Sequence, residues 1–251
     1  MAIKLIGLAG PARSGKSSMA QFLVDLLAYD TYSLAGPLKI LIATLFDWDE
    51  PFIEGNAKDR VREVGLNRLE FVKKWAELRM TQATGQAMTT ELFNDRLIPL
   101  LFSDDEAKDG PSISPRRAWQ LFGTEFVRGL NPRTWLDLAG LALRDAKAAD
   151  SGLIVTEIRF PNEHKWNHDT NGLTVHVRRA GAEFQIADTG HESERPLKKA
   201  SVDWATPVCA DLAQLEKSAE MIAQFVKVAP TTDVRLSPRM PTFETLYEGR
   251  L

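Results

Sequence analysis

The run Gly10-Pro11-Ala12-Arg13-Ser14-Gly15-Lys16-Ser17 constrains this chain more than any other feature, because it fits the spacing G-x-x-x-x-G-K-[ST] and has the neighbours that spacing needs. Ile3 to Ala9 reads as a buried strand. Ser17 to Ala28 reads as a helix with Met19, Phe22, Leu23, Leu26 and Leu27 on one face. A turn between such elements aims backbone N–H groups and the positive end of the helix at a polyphosphate. Lys16 then reaches the β- and γ-phosphates, and the Ser17 hydroxyl ligates Mg²⁺. The nucleotide contacts expected from this P-loop come from Gly10, Arg13, Ser14, Gly15, Lys16, Ser17 and Ser18.

Further elements alternate in the way an α/β fold requires. Thr31 to Ala35 reads as a short strand, and Gly36-Pro37 opens a helix that turns Leu38, Leu41, Ile42 and Leu45 inward, with Lys39 near its start. Pro115 opens a helix with Trp119, Leu121, Phe122 and Phe126, and Pro132 opens another with Trp135, Leu136, Leu138, Leu141 and Leu143. Gly152 to Ile158 is an apolar run suited to a central parallel strand. A helix from Pro161 to about Thr170 follows, then a strand from Leu173 to Val177, and a last strand from Val202 to Cys209 broken by Pro207. Asp211 caps a final helix carrying Leu212, Leu215, Ala219, Ile222 and Phe225. The pattern predicts a P-loop NTPase-type parallel sheet flanked by helices, with the site at the carboxyl ends of the strands.

Three segments depart from that alternation. Residues 47–115 are rich in Asp, Glu and Arg and read as a mostly helical insertion, periodic around Leu66, Leu69, Phe71, Val72 and Trp75. About 180–200 is polar and Gly/Pro-punctuated, suited to a lid. The P-loop body therefore spans 1–228, and 229–251 reads as an extended Pro-rich tail.

Composition narrows the partners. A net charge of −3 makes a nucleic-acid partner an unlikely expectation, and no apolar run suggests a membrane span. Cys209 is the single cysteine, so no intrachain disulfide can form and a cytoplasmic setting is expected. Whether the chain is a monomer or a homodimer stays open. His164 and His168 lie four apart on a helix but lack a zinc-site companion in sequence.

The P-loop alone does not name a reaction. No N-K-x-D run is present for reading guanine. Glu157 and Arg159, two apart at a strand end, suit small-molecule phosphoryl transfer better than mechanical work, and Arg116, Arg117, Arg128, Arg133, Arg178 and Arg179 fall near predicted element ends. Guanidinium groups offset repulsion between two phosphorylated substrates.

Four segments then carry a resemblance to the bacteriophage deoxynucleoside monophosphate kinase family. They are the Arg13-Ser14-Gly15-Lys16 core, Leu34-Ala35-Gly36-Pro37-Leu38-Lys39, Pro115 to Glu125 leading to Trp135, and Ile154 to Glu163. His191-Glu192-Ser193-Glu194 is a fifth, weaker match. Where this family often shows Asp-Thr after the P-loop lysine, this chain has Ser17-Ser18, and Glu157 stands where the family usually shows Asp. The resemblance implies γ-phosphoryl transfer from ATP, with Mg²⁺, to a deoxynucleoside 5′-monophosphate. It implies Ser17 and Glu157 around the metal, and Lys39, Arg116, Arg117, Arg128 and Arg159 gripping the acceptor phosphate. Arg178 or Arg179 neutralises the transferring group, Gln120 reads a base edge, and Trp119 or Trp135 stacks on the base. Two other readings stay open: a kinase of hydroxymethyl-pyrimidines, and a nucleotide-binding switch or assembly ATPase.

Overall fold

A computed structural model describes residues 3–49, 57–67, 70, 71, 73, 74, 93–102, 111–182 and 202–228. Along the chain the principal elements are β1 (Leu5–Ala9), α1 (Lys16–Leu27), β2 (Asp30–Tyr32), α2 (Gly36–Phe46), β3 (Arg62–Glu63), α3 (Ile98–Leu101), β4 (Ser112–Ile113) and α4 (Pro115–Trp119). They continue with α5 (Thr134–Ala148), β5 (Leu153–Ile158), α6 (Pro161–Asp169), β6 (Leu173–Arg179), β7 (Trp204–Cys209) and α7 (Leu212–Val228). These residues fall into two compact units, one drawn from Met1–Leu34 and Ala139–Leu251, the other from Ala35–Leu138.

The first unit is built on a five-stranded sheet in the order β2-β5-β1-β6-β7, with every pairing parallel. β1 is central and all five of its residues are buried, which is why it reads as an uninterrupted apolar run. Ile6 and Leu8 join Met19 and Leu23 of α1 and Leu215, Ala219 and Ile222 of α7 in one core. Side chains alternate along a strand, so Gly7 faces the opposite layer. There a Cβ would lie 2.7 Å from Ile158 and 3.0 Å from the Asn167 amide of α6. Helices thus cover both faces.

Buried polar groups in this unit are organised around Thr174 at the start of β6. Asn167, fully buried, donates to its hydroxyl at 2.8 Å, His164 Nδ1 lies 3.0 Å from the same oxygen, and Asp203 accepts the Thr174 N–H at 2.7 Å. Burial holds His164 below its ordinary pKa and His168 pushes the same way, while Asp203 opposes them. His164 Nδ1 is therefore engaged with the Thr174 hydroxyl inside the fold. No cluster of metal-ligating side chains occurs among the described residues.

The second unit has an aromatic core. Phe46 at the end of α2 packs against Trp48, Phe71 and Phe122 with ring centroids 4.8, 5.8 and 5.9 Å away, and Phe71 meets Phe102 at 5.6 Å. Such ring pairs contribute about 0.5–1.5 kcal/mol each beyond the area they bury. α4 starts at Pro115 behind a Ser114 cap, then widens into a π-helical stretch at Gln120–Arg128. Gly123 lies in that stretch, where a Cβ would meet Leu38 of α2 at 2.4 Å.

Several sequence expectations need correction. The strand expected at Thr31 to Ala35 is Asp30–Tyr32, and the helix expected from Pro132 begins at Thr134. Leu141 and Leu212, assigned to apolar faces, are 48% and 62% exposed. The insertion contains a two-residue antiparallel pair, β3 with β4, that its composition does not signal. Leu69, Val72, Trp75, most of the expected lid (183–200) and the tail (229–251) lie outside the described residues.

Gly7→Ala should lower stability by about 1–3 kcal/mol through overpacking against Ile158 and Asn167. Gly140→Ala, in α5 where an added Cβ meets nothing within 4 Å, should instead raise stability by about 0.5–1 kcal/mol. Urea titration of both variants against the parent checks the opposite signs.

Candidate active site

The turn between β1 and α1 departs from ordinary helix entry in three places. Gly10 has φ 139°, Arg13 φ 62° and Gly15 φ 96°. A Cβ on Gly10 would stand 2.5 Å from the Val177 carbonyl oxygen and 2.8 Å from the Ser14 hydroxyl, so only glycine fits. Positive-φ residues alternating with ordinary ones turn successive N–H groups to one side, forming an anion-binding concavity. Gly15, the residue before α1, offers no side-chain cap, and the first turn of α1 contains no acidic residue. The helix's own first turn therefore brings no carboxylate to its amide groups and positive end.

Ser14 is 1% exposed, and its hydroxyl has no hydrogen-bond partner among the described residues. A buried hydroxyl without a partner calls for one that the fold itself does not supply. The Lys16 ammonium donates to the carbonyls of Gly10 at 2.9 Å and Pro11 at 2.7 Å, which holds its charge inside the loop. Side chain, amides and cation together fit a polyphosphate.

The acid expected beside this turn is at the end of β5. Glu157 accepts from the Ser33 hydroxyl at 3.0 Å through one oxygen and from Arg159 at 3.2 Å through the other. Ser33 follows directly after β2, the strand paired with β5, so parallel pairing brings the two together. Ser33 belongs to no sequence motif, and its role comes from that pairing alone. The Glu157–Arg159 pair is partly solvated, and an ion pair of that kind stabilises the fold by little. Its value lies in orientation.

Arg159 is further fixed from below. Glu163 is 4% exposed, and its carboxylate accepts the backbone N–H of Arg159 at 2.7 Å and of Phe160 at 3.0 Å. These bonds satisfy donors at the start of α6, which has Pro161 in its first turn. Glu163, three residues after Phe160, supplies the glutamate half of a capping arrangement, while Phe160 has no side-chain oxygen for the other half. On β6, the backbone N–H of Arg178 donates to the Thr206 hydroxyl at 2.9 Å, and its side-chain Nε donates to the Thr206 carbonyl. Arg179 is exposed at the strand end.

The remaining predicted residues lie in the second unit. The Lys39 ammonium stands 5.2 Å from the Trp119 ring centroid, a cation–π distance, and the Trp119 indole N–H is buried with no partner among the described residues. Arg116 pairs with Asp59, and Arg117 forks onto both oxygens of Glu125. Gln120 and Arg128 are half-buried on the π-helical stretch. Trp135 is 6% exposed and donates its indole N–H to the Gly123 carbonyl at 3.2 Å, so its ring is packed within the unit.

With this geometry in place, comparison with known proteins becomes decisive. The family model for deoxynucleotide monophosphate kinases matches residues 4–217. The chain belongs to this family. The kinase is 30% identical over 216 residues to the deoxynucleoside-5′-monophosphate kinase of Escherichia phage T5, covering 77% of this chain and 86% of that relative. Membership makes it a phosphotransferase that phosphorylates nucleotides, and it favours neither of the two alternative readings. The family resemblance read from the sequence is therefore correct. No helix among the described residues is long and apolar enough to cross a membrane.

Glu163→Ala would leave two N–H groups without their acceptor. It should destabilise the kinase by about 1–3 kcal/mol and lower activity through Arg159 at temperatures where the fold is still intact. Thermal melting and initial rates measured on the same preparation check the two effects separately.

Proposed function

We propose that the kinase transfers the γ-phosphoryl group of ATP to the 5′-phosphate of a deoxynucleoside monophosphate. The glycine-built turn at Gly10–Ser17, with the buried Ser14 hydroxyl and Lys16 inside it, is the observation that carries this reading. The phage T5 relative, a deoxynucleoside-5′-monophosphate kinase, supports the acceptor class.

The acceptor oxygen belongs to a phosphate already ionised at neutral pH, so no general base is required. Rate enhancement then comes from alignment and charge neutralisation. Lys16 and the amides of residues 13–17 hold the donor phosphates. Ser17 and Glu157 offer the hard oxygen ligands that Mg²⁺ takes alongside phosphate and water. A Mg²⁺ ion held by these two side chains would supply positive charge against the donor phosphates. Ser33 and Arg159 keep the Glu157 carboxylate oriented for that task.

Lys39, Arg116, Arg117, Arg128 and Arg159 bind the acceptor phosphate, and Gln120 hydrogen-bonds the base. Trp119 holds the Lys39 ammonium over its ring. Trp135 supports the Gly123 backbone rather than stacking on a base. Arg178 or Arg179 neutralises the transferring group. The buried free Cys209 agrees with action in a reducing cytoplasm.

A coupled ADP-release assay across natural and hydroxymethylated monophosphates, with duplex DNA as a further acceptor, tests the reading. ADP should appear only when a monophosphate is present; release on DNA alone, or without any acceptor, would refute it. Lys16→Ala should lower kcat by at least about a hundredfold while the circular dichroism spectrum stays unchanged.

A further inference from the structure

The end of β1 is approached by a side chain that the reading above leaves without a task. His176 lies on β6 as the ladder partner of Ala9, the last residue of β1 before the glycine turn. Its ring is half-buried, with Cδ2 3.4 Å from where a Cβ on Gly10 would sit. The charged groups acting on it are Arg178 on its own strand and Lys16 on α1. Its ladder partners, Ala9 on β1 and Ala205 on β7, have no charge. Burial foremost, then Arg178 and Lys16, hold its pKa below the ordinary histidine value, so the ring is neutral at pH 7. The ring makes no hydrogen bond among the described residues. A neutral imidazole beside the glycine turn, with two cations acting on it, has an N–H to give and no acceptor for it among the described residues.

We propose that His176 is a phosphate-binding residue of the donor site, donating a ring N–H to the bound polyphosphate and taking up a proton from solvent as the nucleotide binds. This rests on reading Gly10–Ser17 as the nucleotide site. A polyphosphate brings several negative charges against a ring otherwise surrounded by positive ones, which reverses the preference for the neutral form. Both ring nitrogens then become donors, and the contact becomes charge-assisted. The sign of the linkage follows. The free enzyme binds the proton only below the depressed pKa, and the complex binds it at higher pH. Affinity therefore rises as pH falls through the pKa of the complex, and levels off below that of the free enzyme.

The test is titration calorimetry of the kinase with ADP in excess Mg²⁺ at about pH 6.5, in buffers of different ionisation enthalpy. The parent enzyme should take up part of a proton per site, and His176→Gln should abolish that uptake by removing the titrating group. The Kd of the parent should be a few-fold tighter than that of the variant at about pH 8, and about tenfold tighter at about pH 6. In steady-state assays the variant should raise the KM for ATP more than it lowers kcat. Nucleotide binding by the parent with no proton uptake overturns the role of His176 alone, and so does identical uptake in the variant. Absence of any ADP binding by the parent overturns the nucleotide site itself and this proposal with it. The uptake measured on the parent needs no folded variant.

Discussion

Everything at the proposed donor site depends on how tightly the backbone closes at Gly10. The Val177 carbonyl and the Ser14 hydroxyl occupy the space that any side chain there would need. That contact ties the turn after β1 to the neighbouring strand β6, and so to the sheet. The amides at the start of α1 are consequently held by packing before any ligand arrives, and no side chain of the N-cap covers them. Charge follows the same logic. Lys16 is bonded inward to two loop carbonyls, while burial and adjacent cations keep His176 neutral.

Around this fixed turn the polar side chains form a hierarchy of support. Glu163 fixes the backbone at Arg159, Arg159 meets Glu157, and Glu157 is held from its other side by Ser33. Each link uses a strand or helix end, and each spans only a few ångströms. An acid and an arginine two residues apart are thus aligned by hydrogen bonds reaching them from β2 and α6. The second unit uses a different device: Arg116 and Arg117 are paired with carboxylates, Lys39 with an aromatic face, and a cluster of phenylalanine rings forms its core.

The sheet and its site were largely legible in sequence because their signals are local. Positive-φ glycines, an apolar strand and a helix start fall within the first 28 residues, and Pro115, Pro161 and Asp211 mark helix entries that the structure retains. What could not be read was set by contacts distant in sequence. Ser33 acquires meaning only through Glu157, 124 positions away, and Thr206 only through the Arg178 backbone. His176 is an ordinary strand residue until β1 pairs beside it. Leu141 and Leu212 sit at helical spacing yet remain exposed, because periodicity identifies a face but not where the covering layer ends. The π-helical widening at Gln120–Arg128 has no signature in residue type.

One feature of the sheet bears on how the protein behaves in company. β7 is an edge strand, and Pro207 in its middle has no N–H to offer. The ladder to β6 is irregular at that point, between His176 and Arg178, and there the Thr206 hydroxyl takes the Arg178 amide hydrogen. A proline and a bulge on an edge strand are both devices that discourage a strand of another molecule from adding alongside. Among the described residues the sheet thus finishes at β7 on an irregular, proline-bearing strand, a form of edge that resists joining to another sheet.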